Sequence, residues 1–64
     1  MVKINGESYD FNGKKISEIL NETGYSELHI AVELNEEIVP KDKYGEITLK
    51  DGDSLEIVRF VGGG

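Results

Sequence analysis

The sequence has no cysteine and no tryptophan, and it has only one proline and one histidine in 64 residues. Without cysteine there is no disulfide framework, no thiolate metal site and no cysteine nucleophile. One histidine and no cysteine exclude the common zinc arrangements. No apolar run approaches membrane-spanning length. The opening MVKINGESYD turns polar within a few residues and has no signal-peptide apolar region, so a cytoplasmic protein is expected. Asn21-Glu22-Thr23 matches the glycosylation pattern, which means nothing without export.

Basic character is also scarce. Seven Lys and Arg stand against thirteen Asp and Glu, a formal net charge of −6. Such a chain is repelled by phosphate backbones and anionic lipid, so neither nucleic acid nor a membrane is expected as a partner. The charge is accounted for by solubility alone; a partner with a basic docking surface is the functional reading. The length bounds the rest. A chain this short is one domain with a small core and has no room for a deep, lidded active site.

What the sequence does contain is regular patterning. Val2-Lys3-Ile4 alternates apolar and polar and meets Asn5-Gly6, the strongest two-residue hairpin signal. Glu7 to Phe11 alternates again, which puts Val2, Ile4, Tyr9 and Phe11 on one side. The period then changes. Ile16, Ile19, Leu20 and Thr23 share one face of a short helix, and Gly24 is placed to stop it. HIAVELN reads as a strand with Ile30, Val32 and Leu34 on one face and Ala31 and Glu33 on the other. Glu36-Glu37 reads as a turn, Ile38-Val39 as a short extended piece ended by Pro40, and Tyr44 as the anchor of a polar turn. ITLK reads as a short strand, DGD as a turn and SLEIVRFV as the last strand.

Two strands, a helix and two further strands in so short a chain predict one mixed sheet of four to five strands with the helix across one face, an α+β roll. If the last strand lies beside the first they run parallel, as the right-handed crossover rule allows. That arrangement is the β-grasp. Residues 1–61 form the domain and residues 62–64 a flexible glycine tail.

No catalytic constellation is found. The Gly6–Gly13 spacing is too long for a phosphate loop, and Lys15 stands where Ser or Thr should follow. DGD lacks the spacing and closing Glu of a calcium loop. His29 stands alone at a strand entry. A non-enzyme with no metal site is expected.

The end of the chain, RFVGGG, carries the functional signal. Along the last strand Leu55 and Ile57 face the helix, so Glu56, Val58 and Phe60 face outward, with Ala31 and Glu33 on the same side. Val58 and Phe60 on an acidic domain form a candidate docking patch; the alternative folds Phe60 over an edge to finish the core. Three glycines can thread a narrow channel, and a glycine carboxylate has no Cβ to block attack. Joined to AMP, that carboxylate becomes a mixed anhydride that a sulfur nucleophile opens.

These residues resemble the ThiS sulfur carriers of the ubiquitin-like β-grasp superfamily, over essentially the whole chain. VELNEEIVPKDKY carries Asn35, Val39-Pro40, Lys41 and Tyr44 at the family's spacing, and LKDGDSLEIVRFVGGG carries the DGD turn, last strand and diglycine. The length resembles ThiS more than the related molybdopterin carrier MoaD. The resemblance implies that a ThiF-like enzyme, using ATP and magnesium, adenylates Gly64. Sulfur from a cysteine desulfurase route displaces AMP, and the thiocarboxylate serves a ThiG-like thiazole synthase in thiamin biosynthesis. Gly62 and Gly63 would thread the tail, and Val58, Phe60, Ala31 and Glu33 would contact partners. Two departures stand out: the extra Gly62 loosens the tail register, and Lys15 replaces a small hydroxyl cap, which weakens the helix start. Carriers for molybdopterin, cysteine or tRNA thiolation share the tail chemistry, and a ubiquitin-like modifier or plain interaction domain shares the fold.

Overall fold

The first strand, β1 (Val2–Ile4), turns through Asn5 and Gly6 into β2 (Glu7–Tyr9). Both turn residues have positive φ, 51° and 88°, the type I′ geometry that Asn-Gly favours. In this computed structural model residues 1–60 are described; the expected tail at Gly62, Gly63 and Gly64 lies outside them. The helix α1 (Ile16–Thr23) follows, then β3 (Ile30–Leu34), β4 (Glu37–Val39) and β5 (Ser54–Arg59).

The strands form one mixed sheet in the order β2-β1-β5-β3-β4. Its centre is the parallel pair expected from the sequence, with Lys3 opposite Ser54 and Ile4 opposite Leu55. The other pairings are antiparallel. Ile16, Ile19 and Leu20 of α1 are buried in one core cluster with Val2, Val32 and Leu55 from three strands. Tyr44 is also buried there, as its anchoring role requires.

The helix ends at Gly24, φ 84°, and the Tyr25 amide bonds back to the Leu20 carbonyl at 3.0 Å. Its start is unusual. The Lys15 ammonium has no acceptor, so it cannot cap. Instead Glu18 accepts from the Lys15 amide at 2.8 Å, while the Ile47 and Tyr44 carbonyls take the Ile16 and Ser17 amides at 3.1 and 2.9 Å. The weaker side-chain cap is offset by backbone partners from the segment after β4.

Two expectations about local structure are corrected. The turn after β3 is Asn35-Glu36 rather than Glu36-Glu37, and Glu37 already belongs to β4. Asn tolerates positive φ well, so it takes the first turn position, and Glu36 is carried to φ 72°. That conformation costs a residue with a Cβ about 1 kcal/mol. Glu36→Gly is therefore expected to raise stability by about 0.5–1 kcal/mol in urea unfolding. A loss of stability would show that the Glu36 side chain makes up for the strain. The second correction concerns ITLK. Only an isolated bridge forms there, between Thr48 and Lys15. The Ile47 carbonyl and the Leu49 amide bond to the stretch entering α1, so they are not available to the sheet. Leu49 still reaches the core, 1% exposed.

Asp53 is the one buried charged residue among those described, 5% exposed. Burial by itself pushes its carboxyl up. The Lys50 amide at 2.9 Å, the Asn35 side chain at 3.1 Å and the Lys50 charge outweigh that and hold it below the usual range. A lowered carboxyl stabilises the fold above the ordinary carboxylate range, and this contribution is lost as pH falls through the lowered value. Asp53→Asn is expected to cost about 1–2 kcal/mol at neutral pH. It should also flatten the acid limb of stability between about pH 5 and pH 2. Parallel acid limbs in variant and parent would remove Asp53 from the account.

Candidate functional site

Side chains alternate across β5, and its two faces differ sharply. Leu55 and Ile57 are buried under α1. Glu56 and Val58 point the other way, and Val58 is 55% exposed. On the neighbouring strand Ala31 lies opposite Val58 and Glu33 opposite Glu56, both half-buried. Phe60 stands one residue beyond β5. Its amide bonds to the His29 carbonyl at 2.8 Å, which continues the β3–β5 pairing past the strand end. Its side chain is 57% exposed, so it does not finish the core. The structure thus brings Val58, Phe60, Ala31 and Glu33 together on the outward face of the sheet. Gly62, Gly63 and Gly64 are not among the described residues.

The electrostatics of this face favour a cationic visitor. Glu33 and Glu56 are register partners on adjacent strands, and like charges placed opposite each other destabilise a sheet. A basic group from a partner would relieve that repulsion. A shallow depression of about 440 Å³ lies at the other end of β5, lined by Asn35, Glu36, Ser54 and Glu56. It extends the acidic surface away from Phe60. Among the described residues no three His, Asp or Glu side chains are grouped to hold a metal ion. No helix there is long and apolar enough to cross a membrane.

Two exposed apolar residues were missed by sequence reasoning. Ile38 is 77% exposed and lies opposite Glu33, so it widens the outward face onto β4. Placing the turn at Asn35-Glu36 would have revealed it, because that register sets Ile38 against Glu33. Leu28 is 73% exposed in a 3₁₀ turn, Glu27–His29, capped by the Ser26 hydroxyl. That turn holds His29 just ahead of β3, where a strand entry was expected.

Also unforeseen is the work of two asparagines. Each sits at a positive-φ turn position and grips β5. The Asn35 side chain accepts from the Ser54 amide at 3.0 Å, while the Asn35 backbone amide donates to the Ser54 carbonyl at 2.8 Å. The Asn5 side chain accepts from the Ile57 amide at 2.8 Å and donates to the Ile57 carbonyl at 3.3 Å. The strand carrying the outward patch is therefore held at its start and near its end.

Known proteins resemble this chain in sequence and fold. The chain is 40% identical over 68 residues to the sulfur carrier protein ThiS of Bacillus subtilis, and the match covers all of both chains. It is 48% identical over 62 residues to a thiazole synthase of Paramagnetospirillum magneticum, spanning 95% of this chain but only 19% of that longer protein. The crystal structure of the thiamine biosynthesis protein ThiS from Geobacter metallireducens superposes with a TM-score of 0.79 at 30% identity, covering 98% of this chain and 97% of that one. The ThiS family model matches residues 2–64, so it takes in the hairpin, the helix, the outward face of β5 and the glycines beyond. By fold, by sequence and by the extent of the match, the chain belongs to the ThiS family.

Proposed function

We propose that this chain is a sulfur carrier in thiamin biosynthesis and that Gly64 is its reactive end. A ThiF-like enzyme uses ATP and magnesium to join the Gly64 carboxylate to AMP, releasing pyrophosphate. A terminal persulfide, formed through a cysteine desulfurase route, attacks the mixed anhydride and expels AMP. A thiol then reduces the S–S bond of the acyl persulfide, itself ending in a disulfide, to leave sulfur on Gly64. The resulting thiocarboxylate gives its sulfur to a ThiG-like thiazole synthase, all in the cytoplasm. The chain is a substrate of its partners' catalysis rather than an enzyme.

The observation that carries this reading is the end-to-end match to a sulfur carrier, in a chain whose sequence closes on Gly63-Gly64. The 48% identity to part of a thiazole synthase supports that enzyme as the sulfur acceptor. The outward face supports a docking role. Val58, Phe60 and Ala31 supply apolar contact beside the point where β5 hands over to the last residues, and Glu33 supplies charge. Gly62 and Gly63 would let the end pass through a narrow channel.

The test is a reaction with the cognate adenylating enzyme, ATP and magnesium. The expected result is stoichiometric pyrophosphate release and an AMP adduct on Gly64. Conjugation to lysine amines would make the chain a modifier instead, and no adduct at all would leave a plain interaction domain.

A further inference from the structure

The helix-side face of β5 ends on an unexpected residue. Leu55 and Ile57 point to the core, and the same alternation puts Arg59 next. Its guanidinium carbon lies 4.7 Å from the centre of the Tyr25 ring, the geometry of a cation–π contact. Tyr25 is itself well placed. It follows the left-handed Gly24 that ends α1, and its amide is bonded to Leu20. The Tyr25 hydroxyl accepts from the Asn5 side chain at 3.3 Å, and that same side chain holds both backbone groups of Ile57.

Two distant parts of the chain, the first hairpin and the end of the helix, thus converge on the end of β5 at Ile57 and Arg59. The need for such a clasp is visible in the pairing. β1 accompanies β5 only at Ser54 and Leu55. Asn5 extends that support to Ile57 by side chain, and among the described residues no strand lies on that side of Arg59. On the opposite side β3 holds the strand to its end, with Ile30 opposite Arg59. Without the clasp the end of β5 is held from one side only.

We infer that Asn5, Tyr25 and Arg59 are positioning residues that fix the heading of the backbone where it leaves β5, and so determine how Gly64 is delivered to the adenylating site. This inference rests on the carrier reading. It separates two functions along one strand: the outward face docks, and the clasp on the opposite face aims. Reactive ends held slightly out of place lose rate rather than affinity.

The experiment compares the parent chain with Tyr25→Leu, Arg59→Gln and the conservative Arg59→Lys, using pyrophosphate release by the cognate adenylating enzyme. Tyr25 is half-buried and Arg59 exposed, and unfolding curves establish that each variant is folded. Tyr25→Leu and Arg59→Gln are expected to lower kcat about tenfold with KM little changed. Arg59→Lys, which keeps a cation over the ring, recovers most of the loss. NMR order parameters at the Arg59 and Phe60 amides should fall in Tyr25→Leu. A raised KM with unchanged kcat would make Arg59 a docking contact and overturn the inference, as would unchanged kinetics in both variants. A parent chain that releases no pyrophosphate would overturn the carrier reading itself, and the aiming role with it.

Discussion

Removal of Gly63 and Gly64 is expected to abolish adenylation and sulfur loading completely while leaving stability within about 0.5 kcal/mol of the parent. The two halves of this result come from different parts of the molecule. Among the described residues, every member of the buried core lies between Val2 and Ile57, and the last strand ends at Arg59. A core built from those residues gives the cooperative transition no reason to move. The chemistry has no substitute for the last two glycines. The electrophile is the terminal carboxyl itself, and a carboxyl moved two residues back lies on Gly62, nearer the folded domain by about 7 Å of extended chain. Sulfur loading that survives the deletion would show that the reactive group lies elsewhere. A lost unfolding transition would show instead that the glycines are part of the fold.

The second large effect is expected at Phe60. Phe60→Ala should weaken binding to the adenylating enzyme by about 2 kcal/mol, roughly thirtyfold, because buried aromatic anchors dominate small interfaces. Stability should change by less than about 0.5 kcal/mol, since the ring is already 57% exposed in the free chain. The contrast with the core is instructive. Leu55, five residues earlier and fully buried, belongs to the class whose truncation costs about 2–5 kcal/mol. A chain of this length has a total stability of only about 3–10 kcal/mol, so such a change threatens the fold. Binding of the parent should also weaken with added salt, because Glu33 and Glu56 would meet basic partner groups. A Phe60→Ala chain that binds normally but unfolds much more easily would return Phe60 to the core.

Most of the fold was legible because its local signals are strong. Asn5-Gly6 announces its turn, the spacing of Ile16, Ile19 and Leu20 announces the helix, and Gly24 its end. Alternation along HIAVELN and SLEIVRFV was enough to place Ala31, Glu33, Val58 and Phe60 on one face. Where reading failed, long-range partners decided the outcome. Thr48 has strand character, but its neighbours bond to the start of α1 rather than to the sheet. Glu36 occupies a positive-φ position that its side chain does not favour, so the turn was placed one residue late and Ile38 was overlooked. The grips of Asn5 on Ile57 and of Asn35 on Ser54 join residues far apart in sequence. A single sequence shows that an asparagine suits a turn, but not that its side chain will also hold a distant strand.

The same division runs through the candidate site. The outward patch follows from a period of two and needs only one strand to be recognised. The Tyr25–Arg59 contact needs the helix end, the first hairpin and the last strand to be in place together. Docking surface and aiming device therefore differ in how visible they are before folding, although they act on the same few residues at the end of β5.

The central claim is that Gly64 carries sulfur, and the most direct test is the intact mass of the protein purified gently from its native cells. The expected result is a population heavier by the exchange of one oxygen for sulfur, with fragmentation placing the change on Gly64 and the thiol reagent iodoacetamide capping it. A single species bearing the plain carboxylate, in cells that are actively making thiamin, would contradict it.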